Sequence, residues 1–185
     1  RRQGAGQRHP GRPFTRDEFC DATTELIRQS GLDECYIRPI IFRGLDEVKP
    51  AFGVNPFPNP IDAYIATWEW GKYLGEEALE SGIHVCVSSW TRITSNSMPA
   101  MAKAGANYMN SQLIKMEALL DGYAEGMALE VFGNVSEGSG QNIFVVRDGV
   151  IYTSPISASV LGGITRDSVM TLARDLGYSV VEQNL

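Results

Sequence analysis

Apolar residues at helical spacing first appear after Thr15. Thr15 followed three residues later by Glu18 has the sequence of a capping box, and Gly31 is a typical helix stop. Between these signals runs an apolar stripe formed by Phe19, Ala22, Leu26 and Ile27. The pattern predicts a first helix over about Arg16–Ser30.

Two strands are predicted next. Cys35–Phe42 carries Tyr36 and Arg38 on the same face, because side chains two residues apart in a strand point the same way. Pro39 within it indicates a sheet edge or a bulge, since proline cannot donate to a ladder. Ile61–Trp68 is the second predicted strand.

The segment between the two strands, 44–60, is rich in proline and glycine. It predicts a long irregular loop, and loops of this length inside a compact domain are usually functional. After the second strand, Glu69–Ser81 is predicted as a connector with a short helix that Gly82 ends.

The second half of the chain mixes further strands and helices. Its predicted strands are His84–Trp90, Met127–Val131, Gln141–Val146, Val150–Thr153 and Tyr178–Val181. One helix is predicted over about Asn107–Asp121 with Leu113, Met116 and Leu120 inward. Another follows a cap at Thr165 and carries Val169, Leu172 and Leu176. Strands mixed irregularly with helices favour an α+β fold.

Charge and composition exclude several classes of function. The net charge is −6, although the first 13 residues hold four arginines and no acid. An acidic body argues against a nucleic-acid surface, and no apolar run is long enough to span a membrane, so we expect a cytoplasmic protein. Residues 1–13 are interpreted as a flexible or foreign segment. Two histidines and three dispersed cysteines indicate no metal site and no Ser-His-Asp triad.

Three local features could carry chemistry. The glycines of LGGITRDS, 161–168, precede a helix whose free N–H groups favour an anion, although a simple capped turn explains them as well. Lys103 lies among small residues with no neighbouring acid, so we expect it to be desolvated and nucleophilic, unless it is an ordinary surface lysine. Glu137 lies in a small-residue segment, 135–142, that would admit a ligand ring or form a glycine-rich hairpin turn.

Seven motifs occur in order along the chain: YIRP at 36–39, GVNP at 53–56, WGKYLG at 70–75, VSSWTR at 87–92, AKAGANY at 102–108, SEGSGQNIF at 136–144 and LGGITRDS at 161–168. Over residues 14–185 they resemble the branched-chain aminotransferases of fold type IV. The resemblance implies a two-domain α+β fold: part of the small domain at 14–69, a connector at 70–80 and part of the large cofactor-binding domain at 81–185.

The resemblance also implies pyridoxal 5′-phosphate as cofactor. Lys103 would bond to it covalently and carry the proton during catalysis, Tyr108 would hydrogen-bond its phenolic oxygen, and Glu137 would pair with its pyridine nitrogen. The phosphate would bind at a turn formed by Leu161, Gly163, Ile164 and Thr165.

For the substrates, the resemblance implies transamination between leucine, isoleucine or valine and 2-oxoglutarate. Arg38, beside Tyr36, would receive the side-chain carboxylate of glutamate, while Trp70 and Tyr73 would form apolar walls. Val54 would reach into the site of a neighbouring subunit, which implies a homodimer or a higher homo-oligomer.

Alternatives within the same fold are a D-amino acid aminotransferase and an aminodeoxychorismate lyase, and a further alternative is an inactive fragment. Many family members carry Glu where this chain has Gln141, which we expect to tune the site rather than abolish it. The family's N-terminal phosphate-clamping arginine and its C-terminal threonine turn are not matched, so we expect a fragment.

Overall fold

The computed structural model describes residues 14–71, 74–75 and 77–185. The chain divides into two compact units, Arg1–Gly75 and Glu76–Leu185. Helices mix with strands in both, which confirms the predicted α+β class. The segment 1–13, predicted as flexible or foreign, lies outside the described residues. Within the described ranges, no helix combines the length and apolar character that crossing a bilayer requires.

The first unit contains one helix and two paired strands. Helix α1, Arg16–Ser30, has the predicted bounds, and the capping box of Thr15 and Glu18 is formed. Strands β1, Tyr36–Arg43, and β2, Ile61–Trp68, pair antiparallel along their whole lengths. One mostly apolar cavity lies between helix and sheet, and it is lined by Phe14, by Glu18, Phe19 and Ala22 of α1, and by Ala63 and Ile65 of β2. Burial of this apolar surface holds the helix on the sheet.

The loop predicted over 44–60 contains no helix and no strand. It is nevertheless ordered by its own polar groups. The side chain of Asn59 donates to the carbonyl of Ala51 at 3.0 Å and accepts from the Ala51 N–H at 3.3 Å. Asp46 accepts two backbone N–H groups, from Val48 and Lys49, and these bonds lower the pKa of its carboxyl. The loop therefore has a defined path between the two strands.

The second unit contains three helices and two three-stranded sheets among the described residues. The helices are α2, Ala78–Ser81; α3, Tyr108–Leu120; and α4, Ile164–Asp175. One sheet has the order β3, Val85–Val87; β4, Glu125–Leu129; and β5, Val135–Gly138. The other has the order β6, Phe144–Arg147; β7, Val150–Thr153; and β8, Ser179–Glu182. The predicted bounds are confirmed for β7, whereas β3 is shorter at both ends, β4 and β6 are shifted and β8 begins one residue later.

Helix α3 packs closely on β4. Its buried positions are Ile114 and Ala118, and a Cβ added to Gly126 of β4 would lie 2.8 Å from the Ile114 side chain. Glycine at 126 thus lets the helix approach the strand closely. The predicted inner stripe was wrong, because Met116 and Leu120 are exposed and Leu113 is only half-buried.

Strand β5 was not predicted: residues 135–142 were expected either to admit a ligand ring or to form a glycine-rich hairpin turn. It pairs antiparallel with β4, with Leu129 opposite Val135 and Met127 opposite Gly138, across an irregularity in register. The strand is buried at Ser136, Glu137 and Gly138. Glu137 is therefore held by a strand and not by a turn.

Helix α4 begins earlier than predicted. Its N-cap is Gly163, and Thr165 lies inside the first turn. The expected stripe of Val169, Leu172 and Leu176 is also wrong, because all three are exposed. The buried face consists instead of Arg166, Met170 and Ala173. Arg166 donates to a carboxylate oxygen of Glu182 at 2.7 Å, which ties the helix to β8.

Candidate active site

A buried ion pair lies at the centre of the candidate site in the second unit. Glu137, on β5, is 4% exposed and Arg92 is 6% exposed. The guanidinium donates to one carboxylate oxygen of Glu137 through Nε at 3.0 Å and through Nη2 at 2.7 Å. Two opposite charges so far from water are stable only when each satisfies the other, so neither can be removed alone without leaving a buried charge.

Arg92 is held from three sides. Its Nη1 donates to the Asn110 side chain at 2.9 Å and to the Ser111 hydroxyl at 3.4 Å, both on α3, and its backbone N–H donates to the carbonyl of Leu129 at 2.8 Å. No role was predicted for Arg92. Its position within the VSSWTR motif was the available signal, but the partner lies 45 residues away, and local spacing cannot reveal such a pair.

The loop leading to Arg92 is fastened to α3 by Glu117. The Glu117 carboxylate accepts the Ser88 hydroxyl and the backbone N–H of Ser89. These bonds, that from Ser88 first, hold the pKa of Glu117 below its usual value. Glu117 therefore stays ionised at neutral pH and orders the residues before Arg92.

The second oxygen of Glu137 faces the turn before α4. It accepts the side-chain amide of Asn142 at 2.9 Å and the backbone N–H of Leu161 at 3.1 Å. Burial raises the pKa of Glu137, and the charge and hydrogen bonds of Arg92 oppose that rise. The carboxyl thus accepts four N–H donors in a site that is almost closed to water.

The N-terminal end of α4, called its head below, has free backbone N–H groups. No side chain of a described residue caps the helix, and Ile164 and Thr165 in its first turn are exposed. The first N–H groups of a helix have no intrahelical acceptor and lie at its positive end, so they are free to bind an anion. A Cβ on Gly163 would overlap the Asn142 side-chain oxygen, which explains the glycine there.

Lys103 lies before α3 and is exposed, so the expected desolvation was wrong. Its Nζ lies 5.8 Å from the centre of the Tyr108 ring. The preceding backbone is fixed by Asn107, which is 6% exposed and donates to the carbonyls of Pro99 at 3.1 Å and Ala102 at 2.9 Å. Lys103 thus extends from a rigid turn beside the phenol.

The first unit carries a separate cluster of aromatic rings and one cation. The Tyr36 ring lies 4.6 Å from that of Trp70 and 4.9 Å from that of Trp68. Arg38 donates to the Tyr36 hydroxyl at 3.0 Å, with its guanidinium carbon 5.0 Å from the Tyr36 ring centre. The face predicted for Tyr36 and Arg38 is confirmed. Val54 is fully exposed, and Tyr73 lies outside the described residues.

A second buried carboxyl, Glu125, lies behind the turn that follows Glu137. Desolvation raises the pKa of Glu125, but hydrogen bonds from the side chains of Ser139 and Gln141, the Gly126 N–H and Lys115 outweigh it and keep the pKa below its usual value. Lys115 lies 3.0 Å from the carboxylate. Gln141 is therefore a donor to an ionised acid.

The Gln141→Glu variant is expected to become less stable as pH rises. The introduced carboxyl would face the carboxylate of Glu125. Repulsion between the two would raise the folded-state pKa of the introduced carboxyl above its unfolded value of about 4.3. The folded protein would then bind this proton more tightly than the unfolded chain. The free energy of unfolding therefore falls as pH rises through the folded-state pKa, and at pH 8 it should be about 1 to 3 kcal/mol lower than at pH 5. Thermal melting at pH 5 and pH 8 measures this loss.

An exposed glutamine provides the matched control for that variant. Gln29 donates to the carboxylate of Glu25 at 2.8 Å on the surface of α1, so Gln29→Glu sets two carboxyls together in water. Solvent screens that repulsion, and the stability of Gln29→Glu should change far less between pH 5 and pH 8. Equal pH profiles for the two variants would refute the contact between Gln141 and Glu125.

The chain is similar in sequence to known aminotransferases. The family model described as "Amino-transferase class IV" matches residues 3–185. A branched-chain-amino-acid aminotransferase of Salmonella typhimurium is 48% identical over 170 residues, which cover 91% of this chain and 54% of that protein. The chain therefore spans about half the length of the curated relatives it matches.

Solved structures show the same similarity. The crystal structure of the Escherichia coli branched-chain amino acid aminotransferase superimposes with a TM-score of 0.85 at 47% identity, over 94% of this chain and 56% of that one. The branched-chain amino acid aminotransferase of Thermobaculum terrenum, solved in its PLP-form, gives a TM-score of 0.82 at 37% identity, over 93% of this chain and 54% of that one.

Proposed function

The chain belongs to the class IV aminotransferase family, and from that premise we propose that it binds pyridoxal 5′-phosphate and transfers amino groups between branched-chain L-amino acids and 2-oxoglutarate. One observation carries the proposal. The buried carboxylate of Glu137 accepts the N–H of Leu161 at the turn before α4, so an acceptor for a pyridinium nitrogen and donors for a phosphate belong to one network.

The donor set fits the cofactor at both ends. Uncapped N–H groups at Ile164 and Thr165, with the Thr165 hydroxyl, suit a phosphate. Glu137 suits a protonated ring nitrogen, although it already accepts four donors, so the ring N–H shares an oxygen with one of them. Lys103 provides an exposed amine for the covalent bond.

The chain's own residues would then have separate roles in the reaction. When bound, pyridoxal phosphate supplies the electron sink for the bond broken at the substrate Cα. Lys103 would take the proton from that carbon and deliver it to the cofactor carbon that receives the amino nitrogen. The Tyr108 hydroxyl would donate to the cofactor's phenolic oxygen. Arg92 favours the charged form of Glu137 against the effect of burial, and that carboxylate would accept the N–H of the cofactor's ring nitrogen.

We assign substrate recognition to the cluster in the first unit. Trp70 and Tyr36 offer flat apolar faces suited to aliphatic side chains, and Arg38 offers a planar pair of donors suited to the second carboxylate of glutamate. Tyr73 is assigned to the same apolar wall on the family resemblance. One set of residues would thereby serve an apolar and an acidic substrate in alternate halves of the reaction.

Assembly and location complete the proposal. Val54 is fully exposed in the loop between β1 and β2, and we assign it to contact with the site of a neighbouring subunit in a cytoplasmic homodimer or higher homo-oligomer. Exposure of an apolar side chain at an ordered loop supports that assignment, because burial in an interface would remove it from water.

An amino-transfer assay tests the proposed function. The chain is supplied with pyridoxal phosphate, 2-oxoglutarate and a single amino donor, and glutamate formation is measured. We expect transfer from L-leucine, L-isoleucine and L-valine. Transfer from D-alanine in their place would establish the D-amino acid activity, and no transfer from any donor would overturn the proposal for this chain.

The Arg38→Lys variant is expected to lose acidic substrates selectively. Lysine cannot reproduce the planar two-point contact or the stacking on Tyr36. The KM for 2-oxoglutarate should rise about 10- to 100-fold, while the KM for leucine stays within about threefold. Arg43 on the same strand also lies over an aromatic ring, that of Phe57 at 5.8 Å, so Arg43→Lys is the matched control. Equal losses for both substrates would remove Arg38 from carboxylate recognition.

A further inference from the structure

Asn142 connects the two ends of the candidate cofactor site. Its side-chain Nδ2 donates to Glu137 Oε2 at 2.9 Å and to the backbone carbonyl of Leu161 at 3.0 Å. The Leu161 N–H donates back to the same Glu137 oxygen at 3.1 Å. The three groups form a closed triangle in which both hydrogens of the Asn142 amide are used.

The other atom of the amide touches the same turn. The Asn142 oxygen occupies the space that a Cβ on Gly163 would need. Both ends of the amide are thus in contact with neighbours: the nitrogen with two acceptors, and the oxygen with the turn. The opposite orientation would set an oxygen against a carboxylate and a carbonyl, so the contacts fix which way the amide points.

We propose that Asn142 is a positioning residue that sets the separation between the Glu137 carboxylate and the N–H groups at the head of α4. A ligand with a ring nitrogen at one end and a phosphate at the other then finds both partners already placed, which avoids the loss of freedom that ordering them would require. The identity of that ligand rests on the proposed function. The positioning itself rests on the contacts of Asn142 alone.

Three probes separate positioning from simple support of the fold. Pyridoxamine phosphate engages both ends and cannot bond covalently to Lys103, pyridoxamine engages the ring end, and inorganic phosphate engages the turn. In Asn142→Ala, binding of pyridoxamine phosphate should weaken about 10- to 100-fold, while binding of each of the two smaller probes weakens less than about threefold. Calorimetry measures the first affinity and NMR titration the two weaker ones.

Asn134 provides a matched control. Its side chain donates to the buried carboxylate of Glu130 at 2.7 Å, the same kind of bond at the turn between β4 and β5. Asn134→Ala should leave binding of pyridoxamine phosphate within about threefold of the unsubstituted chain. A loss equal to that of Asn142→Ala would assign the effect to general weakening of the fold and overturn the proposal.

A rescue experiment tests the contact without any ligand. Gly163→Ala adds a methyl group against the Asn142 oxygen and should lower the urea midpoint of unfolding. In the Asn142→Ala background the same change should have less than about half that effect, because the obstructing atom is gone. Equal effects in both backgrounds would overturn the proposal.

The two experiments fail differently. If the unsubstituted chain binds none of the three probes but Asn142→Ala rescues Gly163→Ala, the contact stands and the cofactor assignment falls. If the chain binds pyridoxamine phosphate and Asn142→Ala weakens all three probes equally, the cofactor assignment stands and the positioning role of Asn142 is refuted.

Discussion

The Lys103→Ala variant is expected to lose every trace of covalent bonding to pyridoxal phosphate while it keeps the fold. Lys103 is exposed before α3, and its side chain makes no hydrogen bond with a described residue, so its removal leaves no buried group unpaired. Amino transfer should fall by about 10²- to 10⁴-fold or more, since the residue is proposed both to bond the cofactor and to carry the proton. The absorbance of the bound cofactor and glutamate formation measure the two losses.

Non-covalent binding should survive that substitution. The head of α4 and Glu137 are unchanged, so the affinity of Lys103→Ala for pyridoxamine phosphate should stay within about tenfold of the unsubstituted value. Lys49 is exposed in the loop of the first unit, and Lys49→Ala should behave like the unsubstituted chain in every assay. A covalent adduct that persists in Lys103→Ala would remove Lys103 from the mechanism.

Glu137→Ala is expected to be the most destabilising of these substitutions. It leaves the Arg92 guanidinium buried without its counter-charge, and breaking a buried pair in this way costs about 3 to 5 kcal/mol. The melting temperature should fall by roughly 10 to 20 °C for a unit of this size. Urea unfolding followed by circular dichroism measures the free energy of unfolding directly.

Replacing both partners should be milder than replacing one. An Arg92→Leu, Glu137→Leu double variant buries no charge, so its stability should lie well above that of Glu137→Ala while cofactor binding is lost. The exposed pair of Arg28 and Glu25, 3.5 Å apart, provides the contrast, and Glu25→Ala should cost less than about 1 kcal/mol. A Glu137→Ala variant as stable as Glu25→Ala would show that the buried pair does not hold the site together.

Local patterns predicted the first unit well. The capping box at Thr15, the stop at Gly31 and the patterns of the first two strands all act over a few residues. The structure has the corresponding helix and strands at the predicted bounds or within one residue of them. The same locality placed Tyr36 and Arg38 on one face. Where short-range spacing decides a structure, the sequence is sufficient to predict it.

Long-range pairing explains what was missed. The segment carrying Glu137 has the composition of a turn, yet its pairing with β4 makes it a strand. The inner faces of α3 and α4 were misassigned because large apolar side chains were expected to point inward. The buried positions are instead Ile114 and Ala118 on α3, and Arg166, Met170 and Ala173 on α4. Arg92 and Asn142 lie within recognised motifs, but their partners Glu137 and Leu161 lie 45 and 19 residues away, so local spacing did not assign their contacts.

Lys103 and the turn before α4 were found from the sequence, but their environments were not. The lysine was expected to be desolvated and is exposed. The helix was expected to begin with Thr165 as its cap, whereas Gly163 has that place because the Asn142 side chain fills the space of a Cβ. Motifs identified the residue types, and packing determined how each is presented.

Peptide mapping after borohydride reduction of the chain with pyridoxal phosphate should be carried out first. The chain has four lysines, Lys49, Lys72, Lys103 and Lys115, so the site of the reduced adduct is unambiguous. We predict one adduct per chain, on Lys103. Adducts spread over several lysines, or a single adduct at a lysine other than Lys103, would contradict the assignment of Lys103 as the residue that holds pyridoxal phosphate.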